Sequence, residues 1–217
     1  MGFEPGGYAD KLGNRYESRW VAKQLLRLLN EEIQSVTIEA IGDDEKGVDL
    51  WIGQNNGLRQ AQQCKARNRS EESWSINDLK SRNIFNHAKF QLDNNANSTF
   101  AFVSAVAAQT FHDLCDSARN SNLNPEDFYK YQVEAVGQTR SGGFKKFCEA
   151  IQVNSEDPLA RALAFNYLRR MDTILYPDDH NNWQNLLADA QYLLTGAPET
   201  IVSTLIAYAE NNYAFRK

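Results

Sequence analysis

A mixed α/β fold, with a sheet flanked by helices and a helical C-terminal part, is what this sequence predicts, on three observations. Period-two alternation over Val48 to Ile52 and over Leu58 to Ala66, joined by Asn56-Gly57, marks a β-hairpin closed by a tight turn. The continuous apolar run from Thr99 to Val106, rich in aromatic and β-branched residues, marks a central strand buried on both faces. Amphipathic segments at helical spacing lie before, between and after these strands.

Taken in order, the first element is a helix from Arg15 to Ile33, where Trp20, Val21, Leu25, Leu28, Leu29 and Ile33 form an apolar stripe. At 100° per residue Glu17 falls on the edge of that stripe, near Val21 and Leu28. A strand from Ser35 to Ile41, the polar loop Gly42-Asp43-Asp44 and the hairpin then give a three-stranded meander. Ser75 and Asp78 resemble a capping box, with Asp in place of the usual Glu, opening a helix that runs to about Asp93. The Thr99 to Val106 strand and a helix from Gln109 to Arg119 follow. Past Arg140 the patterns are helical: Phe144 to Ile151, Pro158 to Met171, Trp183 to Leu194 and Glu199 to Tyr213. A boundary over Gln138 to Gly143 divides the chain into a mixed α/β domain, residues 1–140, and a helical adapter, residues 141–217.

With 217 residues the chain can bury one sizeable core, or a core with a smaller appended subdomain. At 42% hydrophobic and 24% charged its composition is that of a globular protein, and no apolar run is long enough to span a bilayer. The segment Met1-Gly2-Phe3-Glu4-Pro5 lacks the basic and apolar regions of a signal peptide, so a cytoplasmic protein without membrane contact is expected. Three scattered cysteines, Cys64, Cys115 and Cys148, suit reduced thiols rather than disulfides or a zinc site.

A net charge of −5 argues against a protein that coats nucleic acid indiscriminately, but the charge is uneven. From Arg59 to Phe90 seven basic residues face three acidic ones, whereas from Ser121 to Lys217 nine basic face twelve acidic. Any contact with a phosphate backbone is therefore expected from the first half, through Arg67, Arg69, Lys80, Arg82 and Lys89, with Lys11, Arg15 and Arg19 as further candidates. A solvated helix and loop is the competing reading of the same residues.

The hairpin holds the chemistry. Alternation on the return strand puts Arg59, Ala61, Gln63 and Lys65 on one face and Leu58, Gln60, Gln62 and Cys64 on the other. If the register sets Gln63 and Lys65 beside Asp49, a carboxylate, an amide oxygen and an ammonium share one small volume, as a hydrated divalent ion and a scissile phosphate require. The bland alternative is a solvated sheet face with a surface ion pair, which is worth little.

Glu17, Gly47-Val48-Asp49-Leu50 and Gln63-Cys64-Lys65 together resemble the PD-(D/E)XK nuclease superfamily in its Mrr-type or Cap4-type variant, with Gln in place of the second acid. The resemblance covers residues 1 to about 135. The stretch Gly6-Gly7-Tyr8-Ala9-Asp10-Lys11-Leu12-Gly13-Asn14-Arg15-Tyr16-Glu17, together with Phe102-Val103-Ser104 and Leu114-Cys115-Asp116-Ser117-Ala118-Arg119, is similar to the N-terminal nuclease domains of antiviral STAND ATPases. It implies a restriction-endonuclease-like core and a Mg²⁺-dependent endonuclease that hydrolyses phosphodiesters of double-stranded DNA in prokaryotic antiphage defence. Mn²⁺ would be a substitute for Mg²⁺. In that reading Asp49, Gln63 and the Cys64 backbone carbonyl hold the ion, Glu17 assists through water or a second metal, and Lys65 orients the nucleophile or phosphate. It also implies a homo-oligomer for cutting both strands, and ATPase and sensor domains further along the same polypeptide. Gly137 to Phe144 begins like a phosphate-binding loop, but Gly143-Phe144 stand where Lys-Ser/Thr are required. The alternative function is a catalytically weak or inactive DNA-binding or oligomerisation module of the same fold.

Other residues read as structure. Asp43 and Asp44 suit a solvated loop better than accessory metal ligation. His87, His112 and His180 stand isolated in sequence, and Cys64 faces away from Gln63 and Lys65 as a core thiol.

Overall fold

The computed structural model describes residues 5–38, 40–66, 72–122 and 124–213, with side chains described from residue 13 to residue 211 within these ranges. Arg67 and Arg69, proposed above as DNA contacts, lie outside the described residues, as does the side chain of Lys11.

The chain opens with α1 (Pro5–Leu29), then β1 (Ser35–Ile38), a 3₁₀ turn (Gly42–Glu45), β2 (Leu50–Gly53) and β3 (Arg59–Lys65). Next come α2 (Ile76–Ser81), α3 (Ile84–Asn94), β4 (Ser98–Ser104), α4 (Gln109–Asn120), the single turn α5 (Pro125–Asp127) and a π-helical stretch (Phe128–Glu134). The last elements are α6 (Gln138–Ala150), α7 (Pro158–Arg169), β5 (Met171–Leu175), α8 (His180–Leu193) and α9 (Pro198–Tyr213). The five strands form one sheet in sequence order. β1, β2 and β3 are antiparallel, and β4 and β5 continue in parallel. The expected mixed sheet with helices on both faces is the observed fold.

Strand alternation explains the two layers. Trp51, Ala61, Phe100 and Phe102 point to one face and form a core with Leu79, Phe85, Phe111, Phe147 and Leu168 from the helices that cover it. Leu50, Ile52, Cys64 and Val103 point to the other and meet Tyr16, Trp20 and Val21 of α1, with Tyr176 and Ala209. A third cluster joins Ala22 and Leu26 of α1 to Leu186, Leu187 and Ala190 of α8 and Val202 of α9.

Several local expectations need correction. The first helix begins at Pro5 and continues through Gly13 instead of starting at Arg15. The helix expected from Ser75 to Asp93 is two helices, because Asn83 takes a left-handed conformation (φ 60°) between them. Its capping box is real: the Ser75 side chain accepts from the Asp78 backbone N–H while Asp78 accepts from the Ser75 N–H. Gln138 to Gly143, read as a boundary, is the first part of α6. An added Cβ at Gly143 would lie 2.8 Å from the Thr110 methyl, so this glycine serves close packing of α6 on α4.

The segment from 141 onward is not purely helical. Met171 to Leu175 forms an edge strand beside β4, and Phe144, Phe147, Phe165 and Leu168 of α6 and α7 share the core under β4. The sequence pattern does not set this strand apart, because it is short and follows α7 after a single residue, so that Met171 continues the apolar spacing of that helix. Arg170 ties the junction down, donating to the backbone oxygens of Asn95 and Ser98 at 2.6 and 3.0 Å.

Candidate functional site

The hairpin register builds the site. Leu50 pairs with Gln62 across β2 and β3, and the Asp49 backbone N–H donates to the Gln62 carbonyl at 2.9 Å, which sets Asp49 beside the end of β3. The hairpin turns where expected but in a longer loop than an Asn-Gly pair: Gly57 alone takes a left-handed φ of 82°, its N–H donates to the Gln54 carbonyl at 3.0 Å, and the Gln54 N–H closes the loop on the Leu58 carbonyl at 2.8 Å. Asp49 Oδ2 then accepts from the Cys64 backbone N–H at 2.6 Å, locking the carboxylate onto the strand that carries Gln63 and Lys65.

Gln63 is buried and Lys65 half-buried on the face that α3 covers. His87 of α3 meets Gln63 there, its Nδ1 3.3 Å from Nε2 and 3.4 Å from Oε1. This corrects the view of His87 as isolated, since the crossover from β3 to β4 brings α3 over the end of β3. Gly47 completes the fit. It has φ 68°, and a Cβ added to it would stand 2.1 Å from the imidazole Cγ. The pairing of Gly47 with a ring forty residues away is tertiary, and the one sequence signal was a glycine two residues before the key aspartate.

Charges in this corner feel one another. Burial pushes the Asp49 carboxyl above the usual carboxylate range, against the pull of Lys65, the Cys64 N–H and His87. His87 is held below the ordinary histidine value by burial, then by the charges of Lys65 and Lys46, with Asp49 opposing them. Burial drives the Cys64 thiol well up, and Asp49 and Glu17 add to the shift. Cys64 is therefore an inert core thiol, as expected, and Cys115 and Cys148 are buried free thiols too.

Asp49, Gln63, Lys65 and His87 are thus gathered at one end of β2 and β3. Glu17 is half-buried on α1, which packs against the opposite face of the sheet, and its charge reaches Cys64. Asp49 thus lies on the face of β3 that α3 covers and Glu17 on the side of α1, and what they share is their effect on Cys64.

Among the described residues no three His, Cys, Asp or Glu side chains form a ready-made metal cluster. The donor chemistry of this corner nevertheless fits a hard divalent ion. A carboxylate and an amide oxygen are the ligand types such ions take, and burial disfavours the charged form of Asp49, a cost that a bound cation would offset.

A cleft of about 350 Å³ opens beside His87, lined by Lys46, Asn83, Asn86, His87, Lys89, Phe90 and Asp93. It offers the Lys46 ammonium and two asparagine amides beside the Asp49 corner, while Lys89 is paired with the Asp93 carboxylate in the same wall. A separate cavity of about 250 Å³ lies between β4, α4 and β5. His112 lines it, with Nδ1 3.0 Å from Thr173 Oγ1, far in sequence from any Asp49 partner. His180 is exposed at the start of α8.

The basic residues expected to follow DNA have partners in the free protein. Lys80 pairs with Glu149 at 3.2 Å, Lys89 with Asp93 at 2.5 Å, and Arg15 and Arg19 share Asp178 at 3.0 and 2.6 Å. Arg82 lies over the Trp74 ring, 5.1 Å from its centroid. The solvent-facing pairs of Lys80 and Lys89 are worth about 0–1 kcal/mol, so a phosphate can displace them, whereas Asp178 is largely buried beneath Arg15 and Arg19. Asp44 pairs with Arg59 at 3.1 Å and Trp51 donates to its carbonyl, which makes the loop structural.

No family model and no curated protein matches the sequence. Among solved structures the chain is similar to the Moraxella osloensis Cap4 SAVED/CARF-domain containing receptor, at 13% identity and a TM-score of 0.49. The match takes in 91% of this chain and 42% of that one, so the chain spans less than half the length of this neighbour. Among the described residues no helix is long and apolar enough to cross a membrane.

Proposed function

We propose that the chain is a divalent-metal-dependent endonuclease that hydrolyses phosphodiesters of double-stranded DNA, acting as the effector part of a prokaryotic antiphage defence protein. The observation that carries the chemistry is the hairpin register. It holds Asp49 by a 2.6 Å bond to the Cys64 N–H, on the same strand end that presents Gln63 and Lys65. The defence role rests on the resemblance of the opening segment, of Phe102-Val103-Ser104 and of Leu114 to Arg119 to the N-terminal nuclease domains of antiviral STAND ATPases.

In this reading Asp49, the Gln63 amide oxygen and the Cys64 carbonyl would hold the ion, with Glu17 reaching it through water. The ion would lower the pKa of a bound water and offset charge developing on the phosphate. The chain's own groups do the rest. Asp49 is oriented by the Cys64 N–H so that its second oxygen is left for the site. Lys65 places a positive charge next to Asp49, where it neutralises a phosphate oxygen as negative charge builds in the transition state. The cleft lined by Lys46 and Lys89 guides the flanking backbone.

A second reading, a DNA-binding or oligomerisation module that cuts weakly or not at all, draws on Gln63, whose neutral amide leaves the ion one charge short. Digestion of supercoiled plasmid separates the two. With Mg²⁺ or Mn²⁺ the nuclease nicks and linearises, EDTA stops it, and Lys65→Ala lowers the rate about 10²–10³-fold. Equal, background-level products from wild type and Lys65→Ala would leave the second reading standing and end the first.

A further inference from the structure

We propose that His87 supplies an imidazole nitrogen to the ion held by Asp49 and Gln63, so that the site is a mixed oxygen–nitrogen one that binds Mn²⁺ and Co²⁺ more tightly than Mg²⁺. The inference rests on the ion-site reading above and adds to it a ligand and a metal preference. Its first support is geometric. Two neighbouring ligand atoms on an octahedral ion, each about 2.1 Å from it, stand about 3 Å apart. His87 Nδ1 and Gln63 Oε1 are 3.4 Å apart, close to the bite one ion requires, and the 3.3 Å contact of Nδ1 with Gln63 Nε2 is the one that the ion would replace.

The second support is how the loop before β2 is shaped. Gly47 adopts a left-handed φ of 68° against the imidazole, and a Cβ there would stand 2.1 Å from ring Cγ and 2.3 Å from Nδ1. The loop is moulded to the ring edge that bears Nδ1, two residues before Asp49. On the α3 side, Asn83 Oδ1 accepts from Asn86 Nδ2 at 3.3 Å and the His87 N–H bonds the Asn83 carbonyl at 2.9 Å, which fixes where the ring starts from. The third support is donor chemistry. An amide in place of a second acid leaves Asp49 as the charged ligand on this side of β3. Imidazole compensates with a nitrogen donor, which first-row transition ions accept more readily than Mg²⁺, an ion that prefers oxygen ligands and retained waters.

The test is binding of Mn²⁺, Co²⁺ and Mg²⁺ to the metal-free chain by calorimetry, together with pulsed electron paramagnetic resonance of the Mn²⁺ complex. In wild type the Mn²⁺ signal carries ¹⁴N modulation from a coordinated imidazole, and affinity rises from Mg²⁺ to Mn²⁺ to Co²⁺. His87→Ala removes the modulation and weakens Mn²⁺ by at least about tenfold, the loss that even an outer-sphere partner can cause. The wild-type spectrum needs no variant to fold. Mn²⁺ that depends on Asp49 but shows no nitrogen coupling would overturn the role of His87 while leaving the ion site intact. Absence of saturable binding of any of the three ions by wild type would overturn both.

Discussion

Two adjacent glutamines on β3 sit in opposite surroundings. Gln62 is fully buried on the α1 face, where its Oε1 accepts from Trp20 Nε1 at 2.8 Å and its Nε2 donates to Gln60 Oε1 at 2.7 Å. Gln63, 5% exposed on the α3 face, meets an imidazole nitrogen at 3.3 and 3.4 Å and stands between an aspartate raised by burial and the next lysine on its face. A buried amide with short bonds at both ends is scaffold. One with long contacts to titratable neighbours has an amide oxygen to give to the ion proposed above, and the strand's period of two decides which glutamine meets which surroundings.

The largest effect expected from this contrast is at Gly47, beside the open side of the strand. Gly47→Ala combines a left-handed backbone, about 1–2 kcal/mol, with overpacking against the His87 ring, about 1–3 kcal/mol. Thermal or urea unfolding should register the sum, together with loss of ion binding. A variant as stable as wild type would mean that the loop does not depend on its fit to the ring.

Next in size, Gln62→Ala strands the buried Trp20 N–H and should cost about 1–3 kcal/mol of stability, measured by urea denaturation. Gln63→Ala should cost less than about 1 kcal/mol while weakening divalent-ion affinity. The reverse ranking would dissolve the distinction between the two faces.

The smallest effects are on pH dependence, where two aspartates should behave with opposite sign. Asp49 has a raised pKa, so the native state keeps its proton to higher pH than the unfolded chain does. Its stabilisation is complete below the unfolded value, about 3.9, and is lost as pH rises through the folded one. Asp49→Asn should therefore raise the melting temperature of the metal-free protein at neutral pH, with the gain vanishing in acid. For Asp93 burial pushes up, but hydrogen bonds from Lys89 and Tyr167 outweigh it and hold the carboxyl below its usual range. Its stabilisation is present above the unfolded value and lost as pH falls through the folded one. Asp93→Asn should cost up to about 1 kcal/mol at neutral pH, less in high salt. Two variants shifting in the same direction would mean that burial does not dominate at Asp49.

What the sequence made legible is what local periodicity and turn chemistry encode. The hairpin, the β4 run and the Ser75–Asp78 capping box all emerge where their patterns place them, and so does the shared face of Gln63 and Lys65. Features set by tertiary contact were not legible. Asn83 breaks a helix whose apolar pattern runs through it, β5 is a five-residue edge strand that gains its definition from β4, and His87 reaches Gln63 through a crossover. The candidate site was readable as far as the strands carried it. Its partner on α3 was not, because no spacing rule connects residue 63 to residue 87.

Plasmid cleavage by Asp49→Ala beside Gln62→Ala, in Mg²⁺ and in Mn²⁺, tests the central claim most directly. Wild type should convert supercoiled DNA to nicked and linear forms, folded Gln62→Ala should retain that activity, and Asp49→Ala should show neither product in either metal. Cleavage by Asp49→Ala at the wild-type rate would contradict the assignment of this strand end as the seat of phosphodiester hydrolysis.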